Sequence, residues 1–206
     1  MTARDEERKA RAQEDPIVGS LPDVPGIVVA MRLSPGLGTH LRGLANALLV
    51  DDFPGTTLTR AERELIATAV SAGNDCFYCM DSHGAFATAL LERAKAEKIE
   101  ALIDGIKGGG SEGVSPKVAA LLDIARTVGK NARSVTADQI AKAKAAGAND
   151  ADTQLAVMIA AGFSMYNRMV DGLRAKTPPT PEAYRARAEE IAEHGYADPR
   201  VTSLPR

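Results

Sequence analysis

The sequence predicts an all-α protein whose centre is a helical hairpin carrying a Cys-x-x-Cys pair. No run of residues alternates apolar and polar as a half-buried strand would, and the alanine-rich segments repeat their apolar residues at helical spacing. Regular punctuation by proline, glycine and capping residues divides the chain into helices of ordinary length. At 206 residues the chain suffices for one domain with a sizeable core.

Taken in order, residues 1–16 lack apolar periodicity and read as a flexible arm or a solvated helix. The pattern PGIVVAMRLSPGLGTHLRGLANALL gives a short helix from Pro25, a break at Ser34-Pro35-Gly36 and a second helix to Leu49, because proline disfavours helix in the residue before it. Thr59 with Glu62 three residues on is a capping box, and Leu65, Ile66, Ala69 and Val70 continue a helix that Gly73-Asn74 ends. The next helix opens near Asp75 or Cys76 and runs through YCMDSHGAFATALLERAKAEK, with Ala85, Ala89 and Leu90 inward. The short connection makes the two an antiparallel hairpin.

A short helix follows from Lys98, then the loop Gly108-Gly109-Gly110, which lacks the Lys-Ser/Thr of a phosphate-binding loop and reads as a linker. Pro116 opens a helix that Gly129 is expected to end, Thr136 caps another, and a long apolar helix spans Asp150 to Leu173. After KTPPTP, the polar helix EAYRARAEEIAEHG is expected on the surface or docked on another subunit. The domain reading is therefore a flexible arm at 1–16, a helical domain at 17–176, and a C-terminal helix and tail at 177–206.

Lys plus Arg number 25 against 27 Asp plus Glu, a net charge of −2, so no global field attracts nucleic acid or an anionic membrane. The N-terminus is charged without an apolar core, which argues against a secretory signal, and Leu155 to Phe163 is too short to span a bilayer. The expectation is a soluble, cytoplasmic protein. In that reducing compartment its two cysteines serve chemistry or a metal rather than a permanent staple.

Those cysteines, Cys76 and Cys79, are three apart, and His83 lies four beyond, so all three share one helical face. A thiol at the first helical turn feels the positive end of the dipole, which predicts an activated Cys76. His83 is placed to move protons at neutral pH. On the partner helix Glu62 and Glu64 point about 200 degrees apart, and with Glu62 in the cap, Glu64 is left for the site. Two other readings stay open: a pair of buried core cysteines, and a zinc site made of Cys76, Cys79, His83 and Glu64. His40 and His194 have no partner motif and read as surface or packing residues. Phe163, Tyr166, Met158 and Met165 read as core rather than a substrate box.

The string Glu64, eleven residues, Cys76-x-x-Cys79, three residues, His83 resembles the active-site signature of the AhpD-like alkylhydroperoxidases, in the carboxymuconolactone decarboxylase superfamily. GNDCFYCMDSHG and MIAAGFSMYNRMVDGL, with Asn167-Arg168 at its recognisable point, are similar to the peroxidase-related branch, so the resemblance covers roughly Leu58 to Leu173. It implies an AhpD-like helical fold, and a cycle in which Cys79 attacks a hydroperoxide, Cys76 resolves the sulfenic acid as a disulfide, and Glu64 and His83 relay protons. It also implies no cofactor and no metal, a lipoyl or thioredoxin-like dithiol as reductant, and a homo-oligomer, trimer or hexamer. The best-studied AhpD type has a histidine where this chain has Tyr78. The alternatives are a non-enzymatic redox sensor or disulfide reductase, and a decarboxylase-type enzyme using acid and base residues without thiols.

Overall fold

Several helix starts are fixed by side chains that satisfy the free N–H groups of a first turn. Thr59 and Glu62 cap α4 (Arg60–Gly73) reciprocally, and Thr136 with Gln139 and Asn149 with Asp152 do the same for α8 (Ala137–Ala145) and α9 (Asp150–Gly172). Ser34 and Ser115, each followed by proline, cap α3 (Pro35–Leu49) and α7 (Pro116–Asn131). The remaining helices are α1 (Ala3–Ala12), α2 (Ile27–Leu33), α5 (Phe77–Arg93), α6 (Ile99–Lys107) and α10 (Arg185–His194). This computed structural model describes residues 3–198, and its described residues contain no strand. Residues 1–2 of the expected arm and 199–206 of the expected tail lie outside the described residues.

The hairpin of α4 and α5 is the centre of the molecule. Ten successive residues of α4, Arg63 to Ala72, are buried, so the helix is covered on all sides. α7 and α9 pack on α4, α6 and α10 pack on α5, α2 and α3 lean on α9, and α8 rests on α7. Leu65, Ile66, Leu121, Leu122, Leu155 and Ile159 fill the main core with essentially no exposure.

Asp152 does more than cap α9. Fully buried, it accepts hydrogen bonds from Thr57 N (2.6 Å), the Thr56 and Thr57 hydroxyls (both 2.9 Å) and Asn149 N (3.2 Å), anchoring the loop before α4 to α9. Burial disfavours its charge, but these donors outweigh it and hold the carboxyl below its ordinary range.

The structure differs from three sequence expectations. α5 stops at Arg93 instead of running to Lys98: Lys95 and Lys98 take left-handed backbone (φ 55° and 53°), and residues 92–98 are all exposed, so no buried face holds the helix on. Gly129 does not end α7. It lies within the helix, where a Cβ would stand 3.3 Å from Val70 Cγ1, so it permits close packing of α7 on α4.

The third concerns the N-terminal segment. Of the two readings, flexible arm or solvated helix, residues 3–12 form the helix, but it is not simply solvated: its Arg8 is buried, donating to the fully buried Asp81 of α5 at 2.7 Å. Lys107 Nζ reaches the same carboxylate at 2.9 Å. Arg4 donates to the carbonyls of Ala72 and Lys107, Arg11 donates to Asp75 O at 3.0 Å, and Arg8 and Arg11 both lie over the Phe77 ring. Arginines 4, 8 and 11 share one helical face, and that face grips the start of α5.

Candidate active site

α5 begins where the backbone reverses. Asp75 turns in the left-handed region (φ 55°), Cys76 N donates to Ser71 O at 3.0 Å, and Cys76 O accepts the first bond of α5 from Met80 N at 2.9 Å. Asn167 of α9, buried, clasps this turn: its amide donates to Ser71 Oγ at 3.0 Å and accepts from Asn74 Nδ2 at 2.9 Å. Of the Asn167-Arg168 pair, Asn167 anchors the cysteine-bearing turn, while Arg168 is exposed and donates to Ser164 O of its own helix at 2.8 Å.

Cys76 is the N-cap of α5, fully buried, and Cys79 lies in the first turn with 2% exposure. Both are free thiols. The expected activation of Cys76 by the helix dipole is corrected by the structure: its thiol is pushed well above its ordinary range, first by a hydrogen bond with the Cys79 sulfur and then by burial. The dipole acts on a group whose surroundings favour the neutral form.

The structure brings Glu64 and His83 together across the hairpin, with Glu64 Oε2 2.7 Å from His83 Nδ1 and the carboxylate almost wholly buried. A carboxylate only accepts, so Nδ1 carries a proton and Nε2 is left as the acceptor of the neutral ring. The His83 ring meets Phe163 edge-on at 4.4 Å and Phe86 at 5.1 Å.

Tyr196, in the tail after α10, completes this group. Its hydroxyl donates to the other oxygen of Glu64 at 2.6 Å and lies 3.3 Å from His83 Nδ1, with its ring stacked on the imidazole. Burial, then the charge of Glu64, keeps this phenol well above its ordinary pKa and therefore protonated. Gly195 makes the approach possible. Its φ of 76° suits glycine, and a Cβ would stand 2.7 Å from Asn46 Oδ1, the atom that accepts from Tyr196 N at 2.9 Å and Ala197 N at 3.3 Å.

Cys79, His83 and Tyr196 line one cavity of about 40 Å³, walled otherwise mainly by Phe86, Phe163 and Tyr166. Phe163 and Tyr166 are buried as core residues and also face this space, whereas Met158 is 48% exposed. Tyr78 lines it too, its phenol pushed up to about 12 by burial, and Tyr184 packs edge-on against it at 5.5 Å. Gly26 must be glycine for Tyr78 to fit. A Cβ there would overlap the tyrosine ring at 2.2 Å, and its φ is 55°. Arg187 of α10 also lines the cavity, and its charge favours the ionised forms of Tyr78 and Tyr196 against the effect of burial.

Cys76 does not line the cavity, so of the three expected face-mates only Cys79 and His83 share that surface. His40 is exposed, and His194 is half-buried with Glu193 Oε1 at 3.8 Å. A larger groove of about 370 Å³ runs between α5, α6 and α10 past Asp81 and Lys107, but neither Cys79 nor His83 reaches it. No cluster of three potential metal-ligating side chains occurs among the described residues.

Tyr196 lies 132 residues from Glu64 in the chain and no motif marks it. Asp171 was also missed: burial raises its carboxyl above its ordinary range, while Cys76 and the charge of Arg11 act downward on it. A signal existed for it, since Asp171 is four residues after Asn167 and shares its helical face.

The helical fold is similar to that of solved AhpD-like proteins. A crystal structure of an alkylhydroperoxidase AhpD core, an uncharacterized peroxidase-related protein from Ralstonia eutropha JMP134, superposes with a TM-score of 0.66 at 24% identity, covering 80% of this chain and 81% of that one. An uncharacterized peroxidase-related protein from Silicibacter sp. TM1040 gives 0.64 at 22% identity, covering 84% and 93%. Residues 35–107 match the model of the carboxymuconolactone decarboxylase family, a segment that contains Glu64, Cys76, Cys79 and His83. No curated protein matches the sequence. The chain thus has an AhpD-like helical fold, and its residues 35–107 are similar to the carboxymuconolactone decarboxylase family.

Proposed function

We propose that the protein is a thiol-dependent peroxidase that reduces hydroperoxides through a Cys76/Cys79 dithiol–disulfide cycle. The observation that carries this reading is the shared cavity: Cys79 faces the same small space as His83, whose ring is held by the buried Glu64. His83 Nε2 takes the Cys79 proton, directly or through a water. The thiolate attacks the terminal peroxide oxygen, the O–O bond breaks, and the alkoxide or hydroxide leaves with the proton returned by His83. Cys79 is then a sulfenic acid. Attack by Cys76 sulfur expels its oxygen as water and forms the disulfide, which an external dithiol reduces by two exchange steps.

The cavity constrains the substrate. About 40 Å³ accommodates hydrogen peroxide or the peroxyl end of an organic hydroperoxide, given that a water molecule occupies roughly 30 Å³ of liquid. A bulky organic body stays outside or requires Tyr196 and its tail to move. The absence of a histidine at Tyr78 leaves Glu64, His83 and Tyr196 as the whole relay, with a phenol that stays protonated at neutral pH beside the sulfur. A dithiol-bearing reductant of lipoyl or thioredoxin type, a homo-oligomeric assembly and a cytoplasmic setting accompany this reading. No described helix is long and apolar enough to cross a membrane.

Substitution of each cysteine tests the assignment. Cys79→Ser should abolish peroxide consumption, and Cys76→Ser should stop after one oxidation with a sulfenic acid that a 1,3-dione reagent traps on Cys79. Parent-rate turnover by either variant would remove the cycle proposed here. A second reading, a redox sensor, draws on the near-complete burial of both thiols, 0% and 2% exposed. A sensor would lose two thiols once and show no sustained consumption when dithiol is supplied.

A further inference from the structure

The cavity beside Cys79 combines apolar walls with little room. Ile27, Met31, Ala45, Phe86 and Phe163 suit the hydrocarbon body of an organic hydroperoxide, yet about 40 Å³ holds little more than its peroxyl end. Within the peroxidase reading, on which this inference rests, an organic substrate reaches Cys79 only if a wall moves. Among the described residues that line the cavity, every one but Tyr196 stands in a helix. Tyr196 belongs to residues 195–197, a strap of irregular chain after α10 that reaches the surface at Ala197.

The strap is fastened separately from the helix before it. Arg60 of α4 donates to the carbonyls of Ile191 and Ala192 at 2.8 and 2.9 Å, which holds the last turn of α10 in place. Beyond that turn Gly195 takes left-handed backbone (φ 76°), and Tyr196 N and Ala197 N both donate to one acceptor, Asn46 Oδ1 of α3, at 2.9 and 3.3 Å. The Tyr196 hydroxyl adds its 2.6 Å bond to Glu64, and its ring packs on His83 and Phe86.

We propose that residues 195–197 are a latched lid that sets the size of the peroxide admitted to Cys79, with Asn46 as the latch and Gly195 as the hinge. Closed, the lid leaves room for hydrogen peroxide and places the Tyr196 hydroxyl on Glu64. Open, it withdraws the Tyr196 ring and joins the apolar walls to the outside. The 2.7 Å bond between Glu64 and His83 survives opening, because both residues belong to the hairpin of α4 and α5 that also carries Cys79. Asn46 does not line the cavity, so it is a positioning residue that acts through Tyr196.

Two variants unlatch the strap by separate routes. Asn46→Ala removes the shared acceptor, and Gly195→Ala pushes against it, since a Cβ there would stand 2.7 Å from Asn46 Oδ1; if one variant does not fold, the other decides. On each, kcat/KM is measured for cumene hydroperoxide and for hydrogen peroxide with dihydrolipoamide as reductant, and N-ethylmaleimide labelling of the reduced protein is followed at each cysteine by mass spectrometry. The ratio of cumene hydroperoxide to hydrogen peroxide kcat/KM should rise by about tenfold or more. Cys79 should label about tenfold faster, while Cys76, which does not line the cavity, keeps its parent rate. An unchanged ratio overturns the lid as a determinant of substrate size, and equal acceleration at both cysteines overturns it as well, being the mark of general loosening. If the parent protein consumes neither peroxide, the peroxidase reading fails, and the labelling alone then decides whether the strap covers Cys79.

Discussion

In the proposed relay Glu64 acts through the imidazole tautomer it imposes. The 2.7 Å contact fixes the proton on Nδ1, and substitution by Gln places an amide there that can itself donate, which removes the preference for Nε2 as acceptor. Glu64→Gln is therefore expected to lower peroxide turnover by about 100-fold with the fold intact, the lower end of general acid–base contributions. Steady-state peroxide consumption beside an unchanged circular dichroism spectrum checks it. Tyr196→Phe removes one hydrogen bond to the same carboxylate and keeps the ring stack on His83. It should cost about tenfold in turnover and, as a hydrogen bond to a charged group, roughly 1.5–3 kcal/mol of stability. A variant with parent turnover would show that the hydroxyl only packs. Residue by residue, Glu64 and His83 were readable because local helix geometry brings them to facing positions of one hairpin. Tyr196 was not, because 113 residues separate it from His83 and only tertiary folding brings them together. The protonation of Cys76 was misread for a related reason: the helix dipole is a local property, whereas the Cys79 hydrogen bond and burial that oppose it belong to the packed molecule.

Among the elements, the caps of α4, α8 and α9 stood in the sequence as Thr-x-x-Glu, Thr-x-x-Gln and Asn-x-x-Asp, since each is a contact within four residues. What the sequence hid is that Asp152 also receives Thr56 and Thr57 from a distant loop. Its folded-state pKa lies below the ordinary 3.8, so its charge stabilises the fold above that value, and the contribution is lost as pH falls from about 3.8 through the folded value. Asp152→Asn should cost about 1–3 kcal/mol at neutral pH, as expected for breaking hydrogen bonds to a buried charge, and should flatten the acid limb of stability. Urea unfolding at pH 7 and pH 3 measures both; an equal loss at the two pH values would contradict the assignment. The α1 helix shows a similar contrast. Its arginines at 4, 8 and 11 looked like a solvated face, but Arg8 meets a buried carboxylate in Asp81, on the helix that carries Cys79. Removing Asp81 would take the buried carboxylate from Arg8 and Lys107, a break that typically costs about 3–5 kcal/mol.

Seen as a whole, the molecule surrounds one hairpin with elements from both ends of the chain. α1 grips the start of α5, and α10 with its tail closes over the far side, bringing Arg187 and Tyr196 to the Cys79 cavity. The all-α class and the order of the central helices were legible because helical periodicity and caps are local signals. The roles of the two termini were not, because their polar composition is equally suited to solvent, and it is the burial of residues such as Arg8, Tyr184, Ala188, Ile191 and Tyr196 that shows otherwise. One peroxide cavity and one cysteine pair are proposed to form a catalytic cycle. It is tested most directly by following hydrogen peroxide consumption by the purified protein with and without dihydrolipoamide, titrating thiols before and after. Two thiols should be lost per chain without dithiol, with sustained turnover and thiols restored when dithiol is present. Peroxide left unconsumed with both thiols intact would contradict it.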